Sequence, residues 1–242
     1  MSNDYTIVKI KNGQWEVQKD GKTVSQHSTQ MGAEAMLKKV EPYYIVWDLE
    51  TDGFTAPKNK ILEIGCQIVY ADRVEEKHWV LDNKTEIPEE IIKLTGITPE
   101  IIAAEGRDPA ECLNEFLPLF KDCDKNITHN GIRFDIPFLV EFAASVLGWD
   151  DKNKEAVYAL LRRTAFDTAV HFKAKKLDMA QMDKEHFVNF ADRVMQVRAY
   201  GVKYNLALCV QECGIQVDGE LHRALADVKY THLIYQQVCT KQ

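Results

Sequence analysis

No stretch of the chain is both long and free of charge. The most apolar run, Phe138 to Trp149, is broken by Glu141 and falls far short of a bilayer span. The N-terminus, Met1-Ser2-Asn3-Asp4-Tyr5, lacks a basic segment followed by an apolar one, so no secretory signal is expected. The six cysteines include no Cys-x-x-Cys pair, and Cys209 and Cys213 lie one helical turn apart. Reduced core thiols are expected rather than a disulfide or zinc framework. Excess basic charge is missing as well: 30 Lys+Arg face 37 Asp+Glu, a net charge of −7. That excludes a protein that coats nucleic acid by bulk charge, though not one with a local basic surface. Repeats and low-complexity segments are absent, which sets aside disordered and fibrous classes. With 45% apolar and 28% charged residues over 242 positions, a soluble cytoplasmic protein with one large domain and a small appendage is expected.

The appendage is residues 1–42. Two turn signals, Asn12-Gly13 and Asp20-Gly21, separate three short segments, Tyr5–Lys11, Gln14–Lys19 and Lys22–His27. Trp15 and Val17 alternate with polar residues, as in a half-buried strand. A helix with Ala33, Leu37 and Val40 on one face should follow, ended by Glu41-Pro42. Residues 43–242 form the second domain. It opens on the strand-like Tyr43-Tyr44-Ile45-Val46-Trp47, and Ile61–Tyr70 and Val74–Leu81 predict two further strands. Helices are predicted after Ile87-Pro88, from Thr98-Pro99-Glu100, and from Pro109 to Phe120. A strand at Asn126–Thr128 leads to a helix from Phe134 to Leu147. The remainder is mostly helical, with a short strand near Ala165–Asp167. This order predicts an α/β domain with a mixed sheet.

Three acidic constellations stand out. Asp48-Leu49-Glu50 ends the first strand of this domain, where residues i and i+2 share a face, so both carboxylates project together. Such a pair suits a hard divalent cation, although a solvated strand end explains an isolated pair equally. Asp135, in His129-Asn130-Gly131-Ile132-Arg133-Phe134-Asp135, falls in the first turn of a helix, where the dipole alone favours an acid. His222 and Asp227 would lie about 140° apart on an ideal helix. They can share a site only if His222 sits on the loop leading in, which Gly219 permits. A histidine there is suited to accept a proton near neutral pH; a surface His and a capping Asp are the plain alternative.

In this order the motifs resemble the DEDDh group of the DnaQ-like 3′→5′ exonucleases. The resemblance spans roughly residues 43–240. It rests on Asp48-Leu49-Glu50-Thr51-x-Gly53, Ile61-Leu62-Glu63-Ile64-Gly65, Leu94-Thr95-Gly96-Ile97-Thr98, His129-Asn130-Gly131-x-x-Phe134-Asp135-x-Pro137-Phe138-Leu139, Asp167-Thr168 and His222-x-x-x-x-Asp227. It implies a ribonuclease-H-like fold: a central mixed five-stranded sheet flanked by helices, here with the N-terminal β-meander and helix added. It also implies catalytic residues Asp48, Glu50, Asp135, His222 and Asp227. The four carboxylates would hold two Mg²⁺ ions (Mn²⁺ substituting), and His222 would act as general base. Nucleoside 5′-monophosphates would leave the 3′ end of a nucleic acid, single-stranded DNA by preference. RNA ends, or a catalytically inactive binding module on the same fold, are the alternatives.

By the same resemblance Leu49, Thr51, Gly53 and Phe54 line the pocket of the terminal nucleotide. Phe54 would stack on a base and Leu94 wedge beneath one, or both simply pack in their turns. His129 and Asn130 would orient the site and contact the terminal sugar. Asp52 departs from the pattern, standing where the family usually carries Thr or a small residue. An acid there either perturbs substrate approach or metal selectivity, or faces solvent.

The net charge is unevenly distributed. Residues 43–150 carry 10 basic and 21 acidic side chains, residues 151–203 carry 11 and 7. The basic stretch, with Arg162, Arg163, Lys173, Lys175, Lys176, Arg193, Arg198 and Lys203, is either a track for the phosphate backbone or a solvated helical face. Residues 1–42 could grip the strand through Trp15, Lys9, Lys11, Lys19 and Lys22, dock a replication or repair partner, or form a structural lid. Several members of the group are dimers, which extends the expectation of a homodimer to this chain.

Overall fold

In the computed structural model the described residues are 5–19, 21–40, 42–217 and 222–239. The chain divides into two compact units, Met1–Tyr43 and Tyr44–Gln242. In the first, β1 (Tyr5–Lys9), β2 (Trp15–Lys19) and β3 (Lys22–His27) form an antiparallel sheet in that order, followed by α1 (Gln30–Val40). Gly13 (φ 82°) and Gly21 (φ 74°) take the left-handed backbone that such turns need. Val17 and Ala33 are fully buried as its core. Lys9 lies over the Trp15 ring, 5.6 Å from its centroid, and Lys19 over Tyr5 at 5.0 Å, so these two lysines already engage aromatic faces of their own sheet. Asp20 and Glu41 and the side chain of Val40 lie outside the described residues.

The second unit is built on a mixed sheet of six strands. β5 (Ile61–Val69) pairs antiparallel with both β4 (Tyr44–Thr51) and β6 (Val74–Leu81); β8 (Lys125–Thr128) pairs parallel with β4, and β9 (Ala165–Asp167) parallel with β8. The sixth strand is β7, Gly106–Arg107, which pairs with Val80 and Leu81 at the sheet edge. The expected sheet has five strands; a two-residue strand is too short to carry any periodicity. The helices are α2 (Glu89–Thr95), α3 (Pro99–Glu105), α4 (Pro109–Phe116), α5 (Asp135–Leu147), α6 (Asp151–Arg163), α7 (Thr168–Lys176), α8 (Phe187–Gln196), α9 (Leu206–Glu212) and α10 (Ala224–Cys239). The helix expected to reach Phe120 instead changes to a 3₁₀ turn at Leu117–Phe120. Pro118 has no N–H to continue the α ladder. Thr98 and Asp108 cap α3 and α4, each with Pro at the first helical position.

β4 alternates between two packed layers, and this alternation places the acids. Trp47 points to one face, against Phe116 and Phe120 with ring centroids 5.7 and 5.3 Å away. Val46 points to the other, where it packs with Val69, Ile127, and Val228 and Tyr235 of α10. Period-2 geometry then turns Asp48 and Glu50 to the α10 side. Cys66, Cys112, Cys123 and Cys209 are buried free thiols, and burial pushes those of Cys66 and Cys209 up to about 12, so they remain unreactive core groups. The side chain of Cys239 lies outside the described residues. No helix among the described residues is long and apolar enough to cross a membrane.

Candidate active site

One strand and two helices deliver acids to one point. Asp48 and Glu50 come from β4 and Asp227 from the first turn of α10, and one oxygen of each lies within 4.8 Å of the others. Asp135, the first residue of α5, is buried beside them, its Oδ1 accepting the Leu49 amide at 3.2 Å. His222 lies on the loop before α10 with φ 73°, exposed, and its backbone N–H donates to Asp227 Oδ1 at 3.2 Å. The histidine is thus off the helix, as the angular argument requires. Gly219 lies outside the described residues.

The cluster is short of positive charge. Burial and then the charges of Asp135, Glu50 and Asp227 hold the Asp48 carboxyl well above its ordinary range. Burial, Asp227 and Glu63 push Glu50 up to about 8. Asp135 is raised to about 7, by burial first and Asp167 second. Burial also raises Asp227, against the opposing pull of the His222 amide and ring. Four mutually repelling carboxylates with only oxygen donors match a hard divalent cation, which would replace the protons they otherwise hold.

The remaining expected residues divide into those that face outward and those already engaged. Phe54 is 86% exposed with its ring edge-on to Phe134 at 6.3 Å, and Leu94 on α2 is 52% exposed. The Leu49 side chain is buried, so its polar link to the site is the amide already bound to Asp135. Thr51 Oγ1 donates to the Gly53 carbonyl at 2.7 Å, and a Cβ on Gly53 would stand 2.3 Å from Asn59 Nδ2. Asp52 takes the Lys60 amide at 2.6 Å on Oδ1, while its own N–H donates to the Lys60 carbonyl at 3.0 Å. Its carboxylate thus ties together the two ends of the 52–60 loop. His129 lines the same cleft as Asn130, with its ring held at both nitrogens: Nε2 meets the Tyr204 carbonyl at 2.9 Å and Nδ1 the Thr168 hydroxyl at 2.8 Å. Burial lowers its pKa to about 4, so the neutral ring donates from Nε2 and accepts at Nδ1. Asn130, at φ 67°, lines an adjoining cleft of about 490 Å³.

Glu63, Gly65, Arg223 and Asp167 were not among the expected site residues, and they hold it together. The Glu63 carboxylate receives Arg223 Nη2 at 2.6 Å, the Ala224 amide at 2.9 Å and the His78 ring. Burial raises its pKa, yet these donors outweigh burial and hold it down at about 2. Gly65 lies directly under the start of α10, where a Cβ would sit 2.6 Å from the Ala224 carbonyl carbon. A glycine inside an otherwise β-rich strand is the signal for such close backbone approach. Asp167 is fully buried and accepts the amides of Asn130, Ile132 and Ala169 at 2.7, 3.1 and 3.0 Å, fixing the loop that leads into Asp135. Gly65→Ala is expected to lift the first turn of α10 and Asp227 away from β4. Calorimetric Mn²⁺ binding should weaken at least about ten-fold, as loss of a ligand's supporting contact does. Unchanged affinity would mean that the helix start does not position Asp227.

Three cations of the basic stretch are paired in place. Arg162 pairs with Asp192 at 2.6 Å, Arg193 with Glu185 at 2.8 Å, and Lys176 with Glu212 at 2.5 Å.

Known proteins resemble this arrangement. The RNase_T family model, described as exonuclease, matches residues 45–235. The PolC-type DNA polymerase III of Clostridium perfringens is 32% identical over 100 residues, 40% of this chain and 6% of the polymerase. The PolC-type enzyme of Mycoplasma genitalium is 29% identical over 97 residues, again 40% of this chain and 6% of that one. The chain therefore spans a small fraction of the length of these relatives. E. coli exonuclease I, solved in complex with a dA16 oligonucleotide, aligns with a TM-score of 0.61 at 18% identity, over 84% of this chain and 42% of that one. The family model takes in both the β4 acids and the α10 segment bearing Asp227: the chain belongs to the RNase_T exonuclease family, with its ribonuclease-H-like fold.

Proposed function

We propose that the chain is a divalent-metal-dependent 3′→5′ exonuclease that removes nucleoside 5′-monophosphates from single-stranded DNA. The observation that carries this reading is the convergence of Asp48, Glu50, Asp135 and Asp227 with their proton affinities raised together. Asp48, Glu50 and Asp227 would hold the metal directly, with Asp135 completing the set; two Mg²⁺ ions, or Mn²⁺, would stabilise the attacking and leaving oxygens of an in-line displacement. His222, exposed on its loop beside Asp227, accepts the proton of the attacking water at an imidazole nitrogen. The hydrogen bond that its backbone N–H donates to Asp227 couples the loop position to the acid cluster. Phe54 and Leu94 offer exposed apolar surface to the last bases, a contact that favours unpaired strands. DNA is preferred over RNA because the PolC-type relatives are DNA polymerases and the exonuclease I structure holds a DNA oligonucleotide. The same relatives suggest a replicative setting, with residues 1–42 as the candidate surface for a partner. Homodimerisation stands as a further proposal.

The test is mononucleotide release from matched 5′-labelled DNA and RNA strands, with Mg²⁺ or chelator, beside His222→Gln. Expected are dependence on Mg²⁺, faster DNA turnover, and a kcat lowered about 10²- to 10⁴-fold by His222→Gln with KM little changed. Release that persists in chelator refutes the metal mechanism. Full kcat in His222→Gln removes the general base, and faster RNA turnover transfers the preference to RNA.

A further inference from the structure

Beside the loop that carries Asn130 and ends at Asp135, a second cleft of about 560 Å³ is lined by Arg133, Lys173, Arg198, Tyr200, Val202 and Tyr204. Three cations meet in this cleft, Arg133 beside Lys173 and Arg198 of the basic stretch. Arg133 Nη1 and Lys173 Nζ donate to one and the same acceptor, the Met195 carbonyl, at 2.9 and 3.1 Å. Lys173 is only 4% exposed, and its ammonium lies 5.3 Å from the Tyr204 ring centroid. Among the described residues no carboxylate pairs with Arg133, Lys173 or Arg198, whereas Arg162, Lys176 and Arg193 each have one. Burial, and then the charge of Arg133, lower the proton affinity of Lys173. Two adjacent cations, a buried ammonium and an exposed guanidinium, share one carbonyl and no counterion, and so leave positive charge that an anion would offset. Tyr200 stands at the rim fully exposed, an aromatic face with nothing of its own fold to cover it.

Position gives the anion its identity. Arg133 is two residues before Asp135 in the chain, and Val202 and Tyr204 also line the cleft that contains Asn130. A basic, aromatic-rimmed channel thus adjoins the loop feeding the acid cluster. Resting on the exonuclease reading above, we infer that this cleft is an upstream subsite of the substrate strand. Arg133, Lys173 and Arg198 receive an internal phosphodiester on the 5′ side of the scissile bond, and Tyr200 stacks on a base there. The strand is then held by its backbone away from the metal-binding acids, at a point where their negative charge does not oppose binding. Of the expected track along residues 151–203 this keeps Lys173 and Arg198, while Arg162, Lys176 and Arg193 are engaged by carboxylates.

Arg198→Gln and Tyr200→Ala test this, since both side chains are exposed and their loss leaves the core intact. Two DNA substrates with 5′-hydroxyl ends are used. A 12-nucleotide strand reaches the subsite; a dinucleotide, whose single phosphodiester is the scissile one, does not. Each variant is expected to raise KM for the 12-mer about ten-fold and leave dinucleotide turnover unchanged. Arg198→Gln should also flatten the dependence of log KM on log salt by about 0.7, the contribution of one single-strand phosphate contact. A 12-mer KM equal to wild type, or an equal loss on both substrates, overturns the subsite. A wild-type protein inert on both strands refutes the exonuclease reading, and the subsite with it.

Discussion

Asp48→Asn is expected to lower strand degradation at least about 10³-fold while raising the melting temperature of the metal-free protein at pH 8 by about 5 °C. The loss follows from removing one of the three oxygens that lie within 4.8 Å of each other. Metal-assisted charge stabilisation contributes several kcal/mol to such a reaction, and each 1.4 kcal/mol is about ten-fold in rate. The gain follows from linkage. Glu50 and Asp135 are raised to about 8 and about 7, and Asp48 and Asp227 are raised as well. A carboxyl with a raised folded pKa binds protons better when folded, so its favourable contribution is complete below the unfolded value near 4. It is lost as pH rises through the folded value. Metal-free stability should therefore decline between about pH 4 and pH 8. Added Mg²⁺ should raise the melting temperature more at pH 8 than at pH 5. The asparagine removes one member of the repelling set, so the variant gains most where the wild type is most strained, and little at pH 5. Melts in chelator and in Mg²⁺ at both pH values measure this. A variant that melts below wild type at pH 8 without metal, or that retains a tenth of the activity, contradicts the account.

What could be read in advance, and what could not, divides by the range of the interaction. Asp48 and Glu50 share a face because strand periodicity is local, and the β4 packing of Val46 against α10 and Trp47 against Phe116 fulfils it. The off-helix position of His222 likewise follows from five residues of helix geometry. The clasp of Glu63 on Arg223 joins residues 160 apart, and no local pattern encodes it. Gly65 carried a legible anomaly, a glycine inside a strand, yet its partner Ala224 lies on another element. Counting cations suggested a track along residues 151–203, but Asp192 is 30 residues from Arg162 and Glu212 is 36 from Lys176. Charge along a chain does not reveal which cations find carboxylates in the fold. Asp52 illustrates the converse: an acid that looked chemically suggestive closes a loop whose ends are eight positions apart.

Asp167→Ala is expected to destabilise the second unit by at least about 3 kcal/mol, and so lower its melting temperature by roughly 10 °C. The carboxylate is fully buried and accepts three amides, those of Asn130, Ile132 and Ala169. Its removal leaves three buried donors without acceptors, each costing about 1–3 kcal/mol. The same bonds pin the loop that ends at Asp135, so catalytic turnover should fall about 10²-fold although Asp167 offers the metal nothing. Asp167→Asn separates bonding from charge. An asparagine keeps one acceptor oxygen but turns an NH₂ toward a backbone N–H. It should retain the two bonds made to Oδ1, from Asn130 and Ala169, and lose the one that Ile132 makes to Oδ2. If the carboxylate mattered only as a negative charge beside Asp135, both variants would relieve repulsion and melt at or above wild type. If it matters as an acceptor, stability falls in the order Asp, Asn, Ala, and activity falls with it. Thermal melts of the three proteins in chelator distinguish the two orders directly. The acceptor role fits an acid that burial pushes up to about 6, since its bonds from backbone amides offset that burial only in part and the same amides would be left unpaired without it.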